Sequence, residues 1–126
     1  METQAELALR VVRQAGDAIQ RRDWASYGAR FHDDAVYEFV GQGTVSGRDN
    51  IVDYERSLQI ESMRVTQDLW TADETGRVWW RYAAEWADPE TAEQRRTSGA
   101  STALVRDGAI ESLTSWIDLS FMLPKP

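Results

Sequence analysis

The sequence predicts an α+β fold, with three N-terminal helices lying on one face of an antiparallel sheet. Two observations carry this. Apolar residues recur with a helical period up to about residue 60 and with a period of two thereafter. The segments between the later runs are too short for parallel crossovers, so those strands form a meander. At 126 residues the chain has room for one core, and residues 1–126 are read as a single domain.

The first helix spans about 3–21. Leu7, Ala8, Val11, Val12, Ala15, Ala18 and Ile19 form its apolar stripe, and Glu6, Arg10, Arg13 and Asp17 face away. Thr3 followed by Glu6 is a capping-box pattern. Asp23 reads as the N-cap of a second, short helix whose face is Trp24, Tyr27 and Phe31. His32-Asp33-Asp34 breaks that pattern, placing His32 at the helix end, and Ala35 to Val40 reads as a strand. Gly41, Gly43 and Gly47 mark a flexible turn region. A third helix, about 48–60, carries Ile51, Tyr54 and Leu58 on one face.

Four strands follow, about 62–72, 77–87, 94–106 and 109–121. They are separated by Asp73-Glu74-Thr75-Gly76, Asp88-Pro89-Glu90 and Asp107-Gly108. Asp-Gly is a two-residue hairpin turn. Strand alternation sorts the residues by face. Leu113, Ser115, Ile117 and Leu119 point toward the helices, as do Trp80, Tyr82, Ala84 and Trp86, and Gly99, Ser101, Ala103 and Val105. The small residues of the third long strand leave space, and a sheet curling around helices with such a centre encloses a pocket. A β-bulge would instead turn Arg81 and Glu85 inward.

Composition excludes several functions. There is no cysteine, so disulfides, thiolate metal sites and a cysteine nucleophile are ruled out. His32 is the single histidine, which removes a multi-histidine metal centre. No metal and no cofactor are expected. A net charge of −7 without a segregated basic patch argues against nucleic acid. No apolar run reaches a membrane span, and Met1-Glu2-Thr3-Gln4 lacks a signal peptide's basic start, so a cytoplasmic location is expected. Six tryptophans are divided between core and ligand wall. Trp79, Trp116, Trp70 and Leu104 fall on the sheet's outer face, an apolar patch that predicts a homodimer through the sheet.

Asp23-Trp24 through Phe31-His32-Asp33-Asp34-Ala35-Val36-Tyr37-Glu38-Phe39, followed by Gly47-Arg48-Asp49-Asn50-Ile51, resembles the nuclear transport factor 2-like superfamily, especially its SnoaL-like and ketosteroid-isomerase-like branches. The ending, Asp107-Gly108-Ala109-Ile110 through Trp116-Ile117-Asp118-Leu119, is similar to the family's close. The resemblance implies a cone: a curved sheet wrapped around three helices, enclosing an apolar pocket. It also implies functions ranging from isomerases and polyketide cyclases to dehydratases, epoxide hydrolases and non-enzymes, among which fold cannot choose.

Set against the ketosteroid-isomerase pattern, the base position falls at Phe39, the helix tyrosine near Ala15 and the protonated acid near Ser101. Against the limonene-epoxide-hydrolase pattern, Tyr37 matches the pocket tyrosine, while the remaining positions fall at Phe39, Tyr82, Ala84 and Ser115. The pocket is therefore expected to lack inward carboxylates. Tyr37 and Tyr82 are the candidate catalytic residues, as hydroxyls that polarise a substrate oxygen. Phe39, Gln67, Trp80, Trp86, Ser101 and Ser115 are the candidate ligand-binding residues. Two functions stay open. One is a cofactor-independent enzyme of isomerase, cyclase, dehydratase or epoxide-opening type, acting on a small hydrophobic molecule such as a polyketide or terpenoid. The other is a non-catalytic ligand-binding or dimerisation protein that has lost the family's carboxylates.

Overall fold

In the computed structural model, which describes residues 1–59 and 62–117, the chain runs α1 (Gln4–Arg21), α2 (Trp24–Gly28), β1 (Phe31–Phe39), β2 (Gly43–Ser46), α3 (Arg48–Leu58), β3 (Arg64–Ala72), β4 (Arg77–Ala87), β5 (Gln94–Arg106) and β6 (Ala109–Ile117). The α+β layout is as read from the sequence. The six strands form one sheet in the order β2-β1-β6-β5-β4-β3. β3 to β6 make the antiparallel meander, and β1 joins β6 in parallel. α1 packs across β3, β4, β5 and β6 while α3 covers β1 and β2, so the sheet curves around the helices.

Local chemistry sets the element ends. Thr3 and Glu6 form the capping box: Glu6 N–H donates to Thr3 Oγ1 at 3.1 Å, and Thr3 N–H to Glu6 Oε1 at 3.4 Å. Such a cap contributes about 1 kcal/mol. Asp23 caps α2 by accepting from Ser26 N–H. At the β5–β6 hairpin Asp107 and Gly108 both have positive φ, 52° and 79°, the left-handed pair that a two-residue turn of this hand requires.

Two features differ from expectation. β1 begins at Phe31 and not Ala35, because Phe31 pairs with Ile110 of β6 and the Ile110 N–H donates to the Arg30 carbonyl at 2.8 Å; His32, whose ring bonds the Arg106 carbonyl (2.7 Å), is thus a strand residue, not a helix end. The glycine-rich turn contains a further strand, β2, pairing with Val36–Phe39. The last strand's predicted continuation to 121, with Asp118 and Leu119, lies outside the described residues.

One face assignment is also corrected. The pairing of β3 with β4 slips between Asp68 and Thr71, and Leu69 takes a φ of 55°. This bulge pushes Leu69 outward, 67% exposed, and turns Trp70 off the outer face onto the inner one. Trp70 stacks on Trp80 at 5.2 Å, with the Arg13 guanidinium 5.6 Å from a Trp70 ring centroid. β4 itself pairs with β5 without interruption, so Arg81 and Glu85 stay outward. Arg81 pairs there with Asp68, Nη2 to Oδ2 at 2.6 Å.

Candidate active site

Between the helices and the inner sheet face lies a cavity of about 350 Å³. Tyr37, Tyr82, Phe39 and Gln67 line it, as do Trp80, Trp86, Ser101 and Ser115. All eight candidate site residues thus border one space.

The wall formed by β1, β6 and β5 carries a hydroxyl chain. Tyr37 Oη is 3.0 Å from Ser115 Oγ, which is 2.8 Å from Ser101 Oγ. These three side chains are buried. Burial, and then the nearby Glu55 carboxyl, push the Tyr37 phenol well above its usual range, so it remains a neutral donor. Phe39 stacks on Tyr37 at 4.8 Å. Tyr82 is turned differently: its hydroxyl donates to the Trp116 carbonyl at 3.3 Å, crossing over Gly99. A Cβ at Gly99 would sit 2.7 Å from that hydroxyl. Gln67 has its counterpart in Gly16, whose missing side chain leaves room for the Gln67 amide against α1.

The expectation that no carboxylate faces inward is overturned. Glu55, on α3, is 8% exposed and lines the cavity. Burial pushes its carboxyl up to about 7, against a hydrogen bond that lowers it, from Gln59 Nε2 to Glu55 Oε1 at 3.1 Å. Gln59 Oε1 in turn accepts from Arg22 at 3.4 Å. Glu55 was missed because it reads as the polar neighbour of Tyr54. The signal was present, since it lies four residues after Ile51 on the buried stripe of α3. Tyr27, noted only as helix face, also lines the cavity and is 1% exposed.

Among the described lining residues Glu55 is the single acidic group, and there is no lysine, arginine or histidine. No cluster of three or more potential metal ligands occurs among the described residues. The space therefore suits an uncharged, largely apolar molecule beside one carboxyl that burial raises to about 7.

A SnoaL-like domain model matches residues 12–113, and the chain belongs to this family. Solved structures agree. A candidate polyketide cyclase from Xanthomonas campestris pv. campestris superposes with a TM-score of 0.80 at 21% identity, over 95% of this chain and 96% of that one. A candidate ketosteroid isomerase from Kribbella flavida gives 0.80 at 19% identity, over 100% and 87%. An LEH-like epoxide hydrolase from M. tuberculosis gives 0.76 at 23% identity, over 90% and 84%. At these identities the likeness establishes the nuclear transport factor 2-like fold. No curated protein matches the sequence. No helix among the described residues is long and apolar enough to cross a membrane.

Proposed function

We propose that this protein is a cofactor-independent enzyme that moves a proton on a small, largely apolar, oxygen-bearing molecule, in a reaction of isomerase or cyclase type. The observation that carries this is the buried Glu55 carboxyl, held near neutrality in the cavity wall. A group titrating near the working pH can both take and return a proton. In this reading Glu55 removes a proton from carbon next to a carbonyl. The electron pair moves to the oxygen, and Tyr37 donates to the oxyanion as it forms. Returning the proton at another carbon completes an isomerisation; attack of the enolate carbon on a second carbonyl closes a ring, the C=O π pair moving to its oxygen, which takes the proton back from Glu55. Trp80, Trp86 and Phe39 restrain the conformer, Ser101 and Ser115 support Tyr37, and Tyr82 and Gln67 shape the far wall. The similarity to candidate cyclases and isomerases supports this class of chemistry.

The test is proton exchange at the α-carbon of α-tetralone in heavy water, followed by NMR. The wild type should accelerate it, and Glu55→Gln should lose about 10²- to 10⁴-fold of that acceleration. Equal exchange by both proteins overturns the reading. A second reading, a non-catalytic carrier, is favoured by one observation: the Tyr37 hydroxyl already has a protein partner in Ser115. Binding without exchange would support it.

The proposed assembly is a homodimer through the outer sheet face. Trp79 and Trp116 lie there 45% and 40% exposed, stacked on each other at 6.0 Å. An apolar pair this exposed is characteristic of an interface. The proposed location is the cytoplasm, consistent with an acidic, cysteine-free chain.

A further inference from the structure

Tyr27 sits on α2 with its ring edge-on to Trp24 at 6.0 Å and to Phe31 at 5.0 Å. Phenylalanine would fill that space equally well. The hydroxyl is nonetheless there, buried against the cavity and without a hydrogen-bond partner among the described residues. A buried hydroxyl left unpaired costs roughly 1–3 kcal/mol, so packing alone does not account for it. Its surroundings narrow what can satisfy it. α2, which carries Tyr27, packs against α3, which carries Glu55, and both side chains line the cavity with Tyr37. The described lining offers no cation, and Glu55 disfavours an anion there.

We propose that Tyr27 is a second ligand-binding hydroxyl, which donates its hydrogen bond to a neutral carbonyl, ether or hydroxyl oxygen of the ligand beside Glu55. The inference rests on the cavity being a ligand site, as in the function proposed above, and adds a specificity determinant to it. Tyr37 already shares its hydroxyl with Ser115, whereas Tyr27 has its whole donor capacity free for the ligand. The substrate class is thereby narrowed to uncharged apolar molecules bearing an oxygen acceptor. Carboxylates and phosphates are disfavoured.

The experiment is an NMR titration of wild type and Tyr27→Phe with α-tetralone, with its hydrocarbon tetralin and with the anion α-naphthoate. The wild type is expected to bind tetralone about tenfold more tightly than tetralin, and naphthoate more weakly than either. Tyr27→Phe should erase the tetralone preference, leave tetralin affinity unchanged and melt about 4 °C or more higher, because the unpaired hydroxyl is gone. A tetralone preference that survives in the variant overturns the proposal, as does failure of the wild type to bind tetralone. So does a variant that melts lower with its ligand preference intact, which makes Tyr27 structural only. The catalytic reading fails separately, through proton exchange that is indifferent to Glu55→Gln.

Discussion

Gln59 donates to the Glu55 carboxyl from one helical turn away, 3.1 Å from Nε2 to Oε1, and its own carbonyl oxygen accepts from Arg22 at the end of α1. The amide thus has a fixed orientation, with its donor toward the cavity. Burial and this bond act on the carboxyl in opposite directions, and burial is the larger effect. Gln59→Leu should move the Glu55 titration upward by roughly one pH unit, since the ionised form loses its donor. The pH profile of tetralone exchange would show this as an alkaline shift of its rising limb, at a similar plateau.

Glu55 should also leave a mark on stability. An ordinary glutamate in the unfolded chain titrates near 4.5, and the folded one near 7. Between these values the unfolded state releases the proton while the native state keeps it, so the native state loses stability as pH rises and levels off above pH 7. The penalty is about 3 kcal/mol at pH 8. Glu55→Gln should therefore match the wild type near pH 4 and exceed it at pH 8. Urea unfolding of both proteins across this range gives the difference curve, from which the lowered surface carboxylates Asp68, Asp73 and Asp88 cancel. Tyr27, Tyr37, Tyr54 and Tyr82 surround Glu55 and have phenols shifted upward, so none of them titrates in this window.

Tyr37→Phe removes one end of the hydroxyl chain but leaves Ser115 bonded to Ser101. The expected loss is about 1 kcal/mol of stability, together with roughly a hundredfold of exchange rate at unchanged tetralone affinity. Unchanged turnover would remove Tyr37 from the mechanism.

Gly99→Ala should be far more damaging than a one-carbon change suggests. The new Cβ would collide with the Trp116 carbonyl oxygen and press on the Tyr82 ring. A loss of roughly 2 kcal/mol or more is expected, with a large fall in melting temperature. Gly108→Ala is a useful contrast: no atom lies near its Cβ, and its cost comes from positive φ alone.

The proposed dimer is tested at the Trp79–Trp116 stack. Wild type should sediment as a dimer at micromolar concentration, and Trp79→Lys with Trp116→Lys as a monomer that retains the fold by circular dichroism. A monomeric wild type removes the assembly.

Alternation alone sorted Trp80, Tyr82, Ser101 and Ser115 onto the inner face, because an unbroken strand obliges every second residue to point the same way. It misplaced Trp70, where a single residue with positive φ at Leu69 inverted the parity of β3. It also missed β2, whose four residues Gly43–Ser46 lie between glycines and are too few to show alternation, and which pairs with the edge that β1 offers.

The capping box and hairpin turn are local properties, and the sequence by itself determined the three helices, the four-strand meander, the family resemblance and the eight candidate residues that border the cavity. Whether the site contains an acid was decided by tertiary structure. Glu55 lies among charged helix residues and becomes a buried carboxyl titrating near neutrality only when β1 and α2 pack against α3. Desolvation depends on what surrounds a group in space, and no pattern along the chain reports it. The Tyr27 hydroxyl follows the same rule: its type is written in the sequence, and its lack of a partner appears only in the fold.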